Sequence, residues 1–183
     1  FDGGSFAVNA DGELAVVAPD FEEGCFDLSV ERTVRGVEVA QGVAATALSD
    51  VAAVWQALVL GVRDYVEKNG FPGVVLGLSG GIDSAVTLAV AVDALGADRV
   101  QAVMMPFKYT ADMSVEDAGE QASIMGVEYD VISIEPIYEA FMAGLTDQFD
   151  GLSVDTTEEN LQARCRGVLL MSISNKKHRL VLT

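Results

Sequence analysis

The most regular pattern in the chain begins at Ser49. Val51, Val54, Trp55, Leu58, Val62, Tyr65 and Val66 recur at intervals of three and four, the spacing that gathers side chains on one face of an α-helix. Ser49 is placed to cap that helix and Gly70 to end it. The apolar face, Trp55 and Tyr65 included, is expected to pack into a core. After Pro72 the period changes. The run 73–78 (GVVLGL) reads as a short buried strand, 83–95 as a helix, 99–105 as a strand, 114–126 as a helix and 127–134 as a strand. Helices over 137–149 and 157–177 follow, and 178–183 reads as a last strand. Strands alternating with helices predict an α/β fold, a doubly wound parallel sheet with helices on both faces.

The N-terminal region reads differently. Residues 5–18 alternate apolar and polar positions on either side of Asp11-Gly12, a dipeptide suited to a tight hairpin because both central positions tolerate positive φ. From 20 to 47 the pattern is poor, with Asp20, Glu22, Glu23 and Asp27 among scattered glycines, and no element is predicted there. The chain opens on Phe1 and closes inside an apparent strand, so a piece of a longer protein is expected.

Charge narrows the choice of partner. Eleven Lys and Arg stand against 28 Asp and Glu, a net charge of −17. Such a balance disfavours nucleic acid and an anionic membrane. Only Cys25 and Cys165 occur, without CxxC spacing, and no leader or long apolar span is visible. A cytoplasmic location with two structural thiols is expected.

The chemistry concentrates at 79–84, SGGIDS, between the first strand of the α/β region and the next helix. In an open α/β sheet, ligands bind at the carboxyl ends of strands. Gly80 and Gly81 are expected at positive φ, letting backbone N–H groups turn inward as an anion nest beside the helix N-terminus. Ser79 and Ser84 can add hydroxyl donors, and phosphate is the natural occupant. Asp83 would repel a polyphosphate unless a divalent cation lay between them, which implies Mg2+. The alternative is local: Asp83 or Ser84 caps the helix and the glycines make a turn. Neither G-x-x-x-x-G-K-[ST] nor G-x-G-x-x-G is present.

A second group lies on the 157–177 helix. Asn160 and Arg164 are four apart and share a face, while Leu161, Cys165, Val168 and Leu169 form a neighbouring apolar face. Arg164 offers a planar fork suited to phosphate, or it pairs with a surface carboxylate such as Glu159. The basic run 176–179 reads as a solvated helix end, and His178 is not expected to act as a base.

SGGIDS resembles the PP-loop of the N-type ATP pyrophosphatases, of adenine nucleotide alpha hydrolase-like fold, which cradle ATP and split it between the α and β phosphates. GMP synthetases, asparagine synthetases, tRNA-thiolating enzymes and NAD synthetases share that loop. Three further stretches, 57–71, 104–118 and 158–183, resemble the glutamine-dependent NAD synthetases. The resemblance implies ATP-binding roles for Gly77, Ser79, Gly80, Gly81, Asp83, Ser84 and Met105, with Mg2+ on Asp83. It implies that Asn160 and Arg164 bind deamido-NAD, and that the loop of Lys108, Tyr109 and Thr110 faces the nucleotide. No residue is expected to form a covalent intermediate. The implied reaction is ATP-dependent amidation of nicotinic acid adenine dinucleotide through an adenylate, with ammonia drawn from glutamine. The implied assembly is a homo-oligomer that engages small molecules, not nucleic acid or membrane.

The same resemblance divides the chain into a C-terminal remnant of a nitrilase-like glutaminase domain (1–30), a linker (31–48) and a synthetase domain (49–183) that continues past Thr183. The chain by itself is expected to be inactive. Cys25 does not sit in a nucleophile context. Two alternatives stand beside this reading: another PP-loop enzyme, of GMP synthetase or tRNA sulfurtransferase type, or a chain that binds nucleotide without turnover.

Overall fold

The computed structural model describes residues 2–108 and 110–183. Tyr109 lies outside the described residues. The chain divides into two compact units, Phe1–Gly61 and Val62–Thr183.

The first unit holds two antiparallel hairpins. Strands β1 (Phe6–Val8) and β2 (Leu14–Val17) pair where the alternation predicts them. The turn is longer than expected. Gly12 N–H donates to Asn9 O and Asn9 N–H to Glu13 O, both at 2.9 Å, and Gly12 alone in the turn takes positive φ, 88°, so a three-residue loop over 10–12 replaces a two-residue one. Strands β3 (Ser29–Thr33) and β4 (Gly36–Gln41) form a second hairpin in the stretch for which the sequence predicts no element. Its side chains are exposed on most positions, Val30 and Val37 included. A ribbon wet on both faces leaves no alternation to read. Asn9 Oδ1 accepts from Val39 N–H at 2.9 Å and ties the two hairpins together.

Helix α1 (Asp50–Lys68) begins in this unit, with Ala52 N–H donating to Ser49 Oγ at 3.3 Å as the predicted cap. The expected inner face is corrected in part. Val51 is 81% exposed and Tyr65 56%, while Val54 and Leu58 are also exposed. The buried positions are Val59 and Val66, each eight residues beyond Val51 and Leu58 and so about 80° round the helix. Periodicity placed Val66 on the covered side and Trp55 and Val62 at its margin, but it missed Val59 and turned Val51, Val54, Leu58 and Tyr65 inward.

The second unit is a four-stranded parallel sheet in the order β7-β6-β5-β8. The strands are β5 (Val74–Gly77), β6 (Val100–Met104), β7 (Glu128–Val131) and β8 (Leu180–Leu182). Helices α2 (Ile82–Leu95) and α3 (Asp112–Met125) connect the first three strands. The return to β8 runs through α4 (Glu135–Gly144), a short α5 (Thr146–Phe149) and the long α6 (Thr156–Lys177). The predicted helix over 137–149 is thus broken. Thr146 Oγ1 bonds back to the carbonyls of Met142 and Ala143, the local competition that makes threonine a poor helix interior.

Both faces of the sheet are covered, as a doubly wound fold requires. Val75 and Val103 join Cys165 and Leu170 of α6, with Phe107 and Ile134, in one apolar cluster. Alternation then turns Val74, Leu76 and Ala102, all fully buried, toward α2 and α3. Cys165 is 1% exposed and fills the core, as expected, whereas Cys25 is exposed. Val168, expected on the inner face, is also exposed. No described helix is long and apolar enough to cross a membrane.

Candidate functional site at the carboxyl end of the sheet

From β5 the chain runs outward to β6 and β7 and returns to the other side of β5 as β8. The strand order therefore reverses between β5 and β8. A crevice forms at such a point because the loops leaving the two strands diverge. The SGGIDS loop leaves β5 here.

The loop is held by its own hydroxyls. Ser84 Oγ accepts from Ser79 N–H at 3.1 Å and donates to Gly81 O at 3.0 Å. Ser79 Oγ accepts from Gly81 N–H at 3.2 Å and lies 3.0 Å from Ser84 Oγ. Gly80 has φ 77°, and a Cβ there would stand 2.3 Å from Ser114 O in the first turn of α3. The loop is thus pressed against α3 at a position where only glycine fits. Gly81 corrects the expectation of paired positive φ: its φ is −92°, extended, and it serves as the N-cap of α2 without a side-chain bond. The first amides of α2 have no intrahelical acceptor and lie at the positive end of the helix dipole. Neither Asp83 nor Ser84 is the cap residue.

Beside the loop lies a cavity of about 550 Å³. Gly77, Leu78, Ser79, Met104 and Met105 line it from the ends of β5 and β6, and Thr110 from the loop that follows. Gly77 lacks a side chain where Met105 Cε approaches, 3.0 Å from the position of a Cβ. Thr110 Oγ1 accepts from Phe107 N–H at 2.9 Å, and Phe107 packs edge-on against Tyr138 at 4.9 Å. The ammonium of Lys108 stands 5.5 Å from the Phe107 ring centre. The opposite wall is α6, through Ala163, Arg166, Gly167 and Leu170.

The residues expected in the site are partly gathered. Gly77, Ser79 and Met105 line the cavity, and Gly80, Gly81 and Ser84 complete the adjoining loop. Asp83 lies exposed in the first turn of α2. No group of three or more His, Cys, Asp or Glu suited to a metal occurs among the described residues. A lone carboxylate at a phosphate loop fits the way Mg2+ is held, by one or two protein oxygens with substrate phosphates and water.

Asn160 and Arg164 are both exposed on α6, joined by Arg164 Nη1 donating to Asn160 O at 3.1 Å. They are not among the residues lining the cavity. Among the described residues Arg164 has no ion pair with Glu159 or another carboxylate. The basic wall is Arg166, half-buried, whose Nε donates to Met105 O at 3.1 Å. The sequence reading missed it. Its signal was its register, four residues before the buried Leu170, which sets an arginine on an inward-facing stripe.

The opposite end of the sheet is also more ordered than predicted. Gln101, 2% exposed, donates through Nε2 to Asp130 Oδ2 at 2.7 Å and accepts at Oε1 from Lys177 and Arg179. Both cations also pair with Glu128, at 2.6 and 2.8 Å. The hydrogen bond from Lys177, with smaller help from Arg179, outweighs burial and holds the Glu128 carboxyl below its ordinary value. Lys176, Lys177 and His178 are exposed, as a solvated helix end requires, but Lys177 and Arg179 are also ion-paired, and His178 is a left-handed cap at φ 56°.

Comparison with known proteins agrees with this fold. A glutamine-dependent NAD(+) synthetase of Acinetobacter baylyi is 52% identical over all of this chain and 34% of its own length. A solved structure, the glutamine-dependent NAD+ synthetase of Acinetobacter baumannii in complex with ADP, matches 99% of this chain and 34% of its own, at 54% identity and TM-score 0.94. The NH3-dependent NAD synthetase of Campylobacter jejuni, in complex with the nitrate ion, matches 73% of this chain and 56% of its own, at 30% identity and TM-score 0.65. The chain thus spans about a third of the length of the glutamine-dependent relatives it matches. With residues 54–183 matched by NAD synthase, the chain belongs to the NAD synthase family.

Proposed function

We propose that the protein of which this chain is part makes NAD by amidating nicotinic acid adenine dinucleotide, with ATP as the activating substrate. The observation that carries the reading is the match of 99% of the chain to a relative in complex with ADP. In this reading the nicotinate carboxylate attacks the α-phosphorus of ATP, pyrophosphate leaves, and ammonia displaces AMP from the adenylate. Gly77, Ser79, Gly80, Gly81, Ser84 and Met105 bind ATP. Asp83 would hold Mg2+, which when bound offsets charge between the carboxylate and the phosphates. Asn160 and Arg164 meet the dinucleotide. The protein's part is to orient the two substrates and to present amide and hydroxyl donors to developing charge, with no covalent step on the chain.

Glutamine is the proposed ammonia source. The glutamine-dependent relatives match essentially the whole chain, whereas the NH3-dependent one matches 73%. Residues 1–30 then end a glutaminase domain, 31–48 link it, and 49–183 begin the synthetase domain. A homo-oligomer in the cytoplasm completes the proposal, with the exposed Val168 and Met171 of α6 available for a second copy to cover. The test supplies the full-length protein with ATP, Mg2+, the dinucleotide and glutamine. NAD should appear with AMP and pyrophosphate in equal amounts. Formation of ADP instead, or no dependence on the dinucleotide, would overturn the proposal.

A further inference from the structure

Arg166 differs from the other half-buried arginines, Arg63, Arg99 and Arg179, each of which has a terminal nitrogen bonded to a described residue. In a chain with 28 carboxylates, the ion pairs among the described residues use Lys68, Arg99, Lys177 and Arg179 but not Arg166. Its single bond among the described residues is from Nε to Met105 O, at 3.1 Å. The two terminal nitrogens have no partner among the described residues, yet the side chain lines the cavity. A half-buried guanidinium without a counter-ion is a costly arrangement. It is sustained where a ligand brings the missing charge.

We infer that Arg166 binds a phosphate of the nucleotide in this cavity, an inference that rests on the adenine-nucleotide reading above. The Nε bond to Met105 O fixes the plane of the guanidinium, so the free fork is already oriented when the ligand arrives. Two parallel N–H donors on a planar cation match two phosphate oxygens. Ser79, the first residue of the loop, lines the same cavity, so the anion is bounded by loop donors on one wall and by Arg166 on the other. Met105 and Leu170 leave the rest of the cavity apolar, suited to the base. At a net charge of −17, a polyanion is repelled over most of the surface, and a positive wall in the crevice offsets that locally.

The test compares AMP with adenosine as probes on the full-length protein, by calorimetric titration of wild type, Arg166→Gln and Arg166→Lys. Wild type should prefer AMP. Arg166→Gln should lose roughly ten- to a hundredfold of that preference, the effect of one charge-assisted bond, while adenosine affinity stays the same. Arg166→Lys, which keeps the charge but not the fork, should recover part of it. An unchanged preference, or equal loss for AMP and adenosine, assigns Arg166 a packing role and overturns the inference. Should Arg166→Gln fail to fold, the same criteria are applied to Arg166→Lys. Wild type that binds adenosine without preferring AMP overturns the Arg166 assignment alone; wild type that binds neither overturns the nucleotide reading as well.

Discussion

The two ends of the parallel sheet are built from the same strands and the same long helix, yet they treat polar groups in opposite ways. At the amino end, Gln101, Glu128, Asp130, Lys177 and Arg179 form one connected network. At the carboxyl end, glycines replace side chains, loop hydroxyls bond one another, and Arg166 keeps two nitrogens without a partner among the described residues, beside a cavity. Helix α6 reaches both ends. One end spends its polar groups on the fold, and the other keeps them for a ligand, which is the division expected when a rigid base positions a site.

Substitutions separate the two ends. The largest effect is expected at Gly80. Gly80→Val places a β-branched side chain at φ 77° and against Ser114 O, adding about 1–3 kcal/mol of backbone strain to a backbone clash. Nucleotide affinity should vanish in titration, and the melting temperature should fall. Gly81→Ala sharpens the contrast. With φ −92° and only Ser79 Oγ near its Cβ position, at 3.3 Å, it should leave folding intact. Equal damage from both would mean that loop geometry is not what matters.

Gln101→Leu attacks the other end. It strips Asp130 of a donor and Lys177 and Arg179 of an acceptor. A loss of about 1–3 kcal/mol in denaturant unfolding is expected, with nucleotide affinity unchanged. A parallel fall in affinity would show that the ends are coupled through α6.

Glu128→Gln should cost less, about 1 kcal/mol or below, because the carboxylate is 43% exposed and water screens the pairs. The sign follows from its lowered pKa. The stabilisation is complete above the ordinary value of 4.5 and is lost as pH falls through the lower folded value. Stability curves of wild type and variant should therefore differ at neutral pH and converge in acid.

The smallest effect concerns the exception in the network's neighbourhood. Tyr129 Oη is buried without a partner among the described residues, and burial raises its pKa. Tyr129→Phe removes an unsatisfied group and should be neutral or stabilising by up to about 1 kcal/mol in the same unfolding assay. A clear loss would reveal a bond that the phenol makes.

What could be read in the sequence follows from what each region buries. The strand over 73–78 and the helix after it were legible because Val74, Val75 and Leu76 are buried on both faces, and such strands appear as continuous apolar runs. The loop was legible from its residue types, although only Gly80 takes positive φ. The β3–β4 hairpin was not, since it buries almost nothing. Arg166 was hidden because the i,i+4 pairing of Asn160 with Arg164 describes one helix face, whereas the cavity meets another. The roles of Lys177 and Arg179 depend on Gln101 and Glu128, partners far away in sequence, which no local pattern encodes.

The position of β8 also sets an order of events. β5 is the strand from which the loop departs, and its register with β8 joins Val74 to Leu180 and Leu76 to Leu182. More than a hundred residues separate these partners, so during synthesis one edge of β5 waits unpaired while β6, β7 and α3 to α6 emerge. Contacts of such long range slow folding, and an open apolar edge is a template for wrong pairing. Leu182 and Thr183 also line the cavity. The wall that β8 supplies therefore forms only after β5, β6 and β7 have emerged, and the strand that covers this edge of β5 also bounds the crevice.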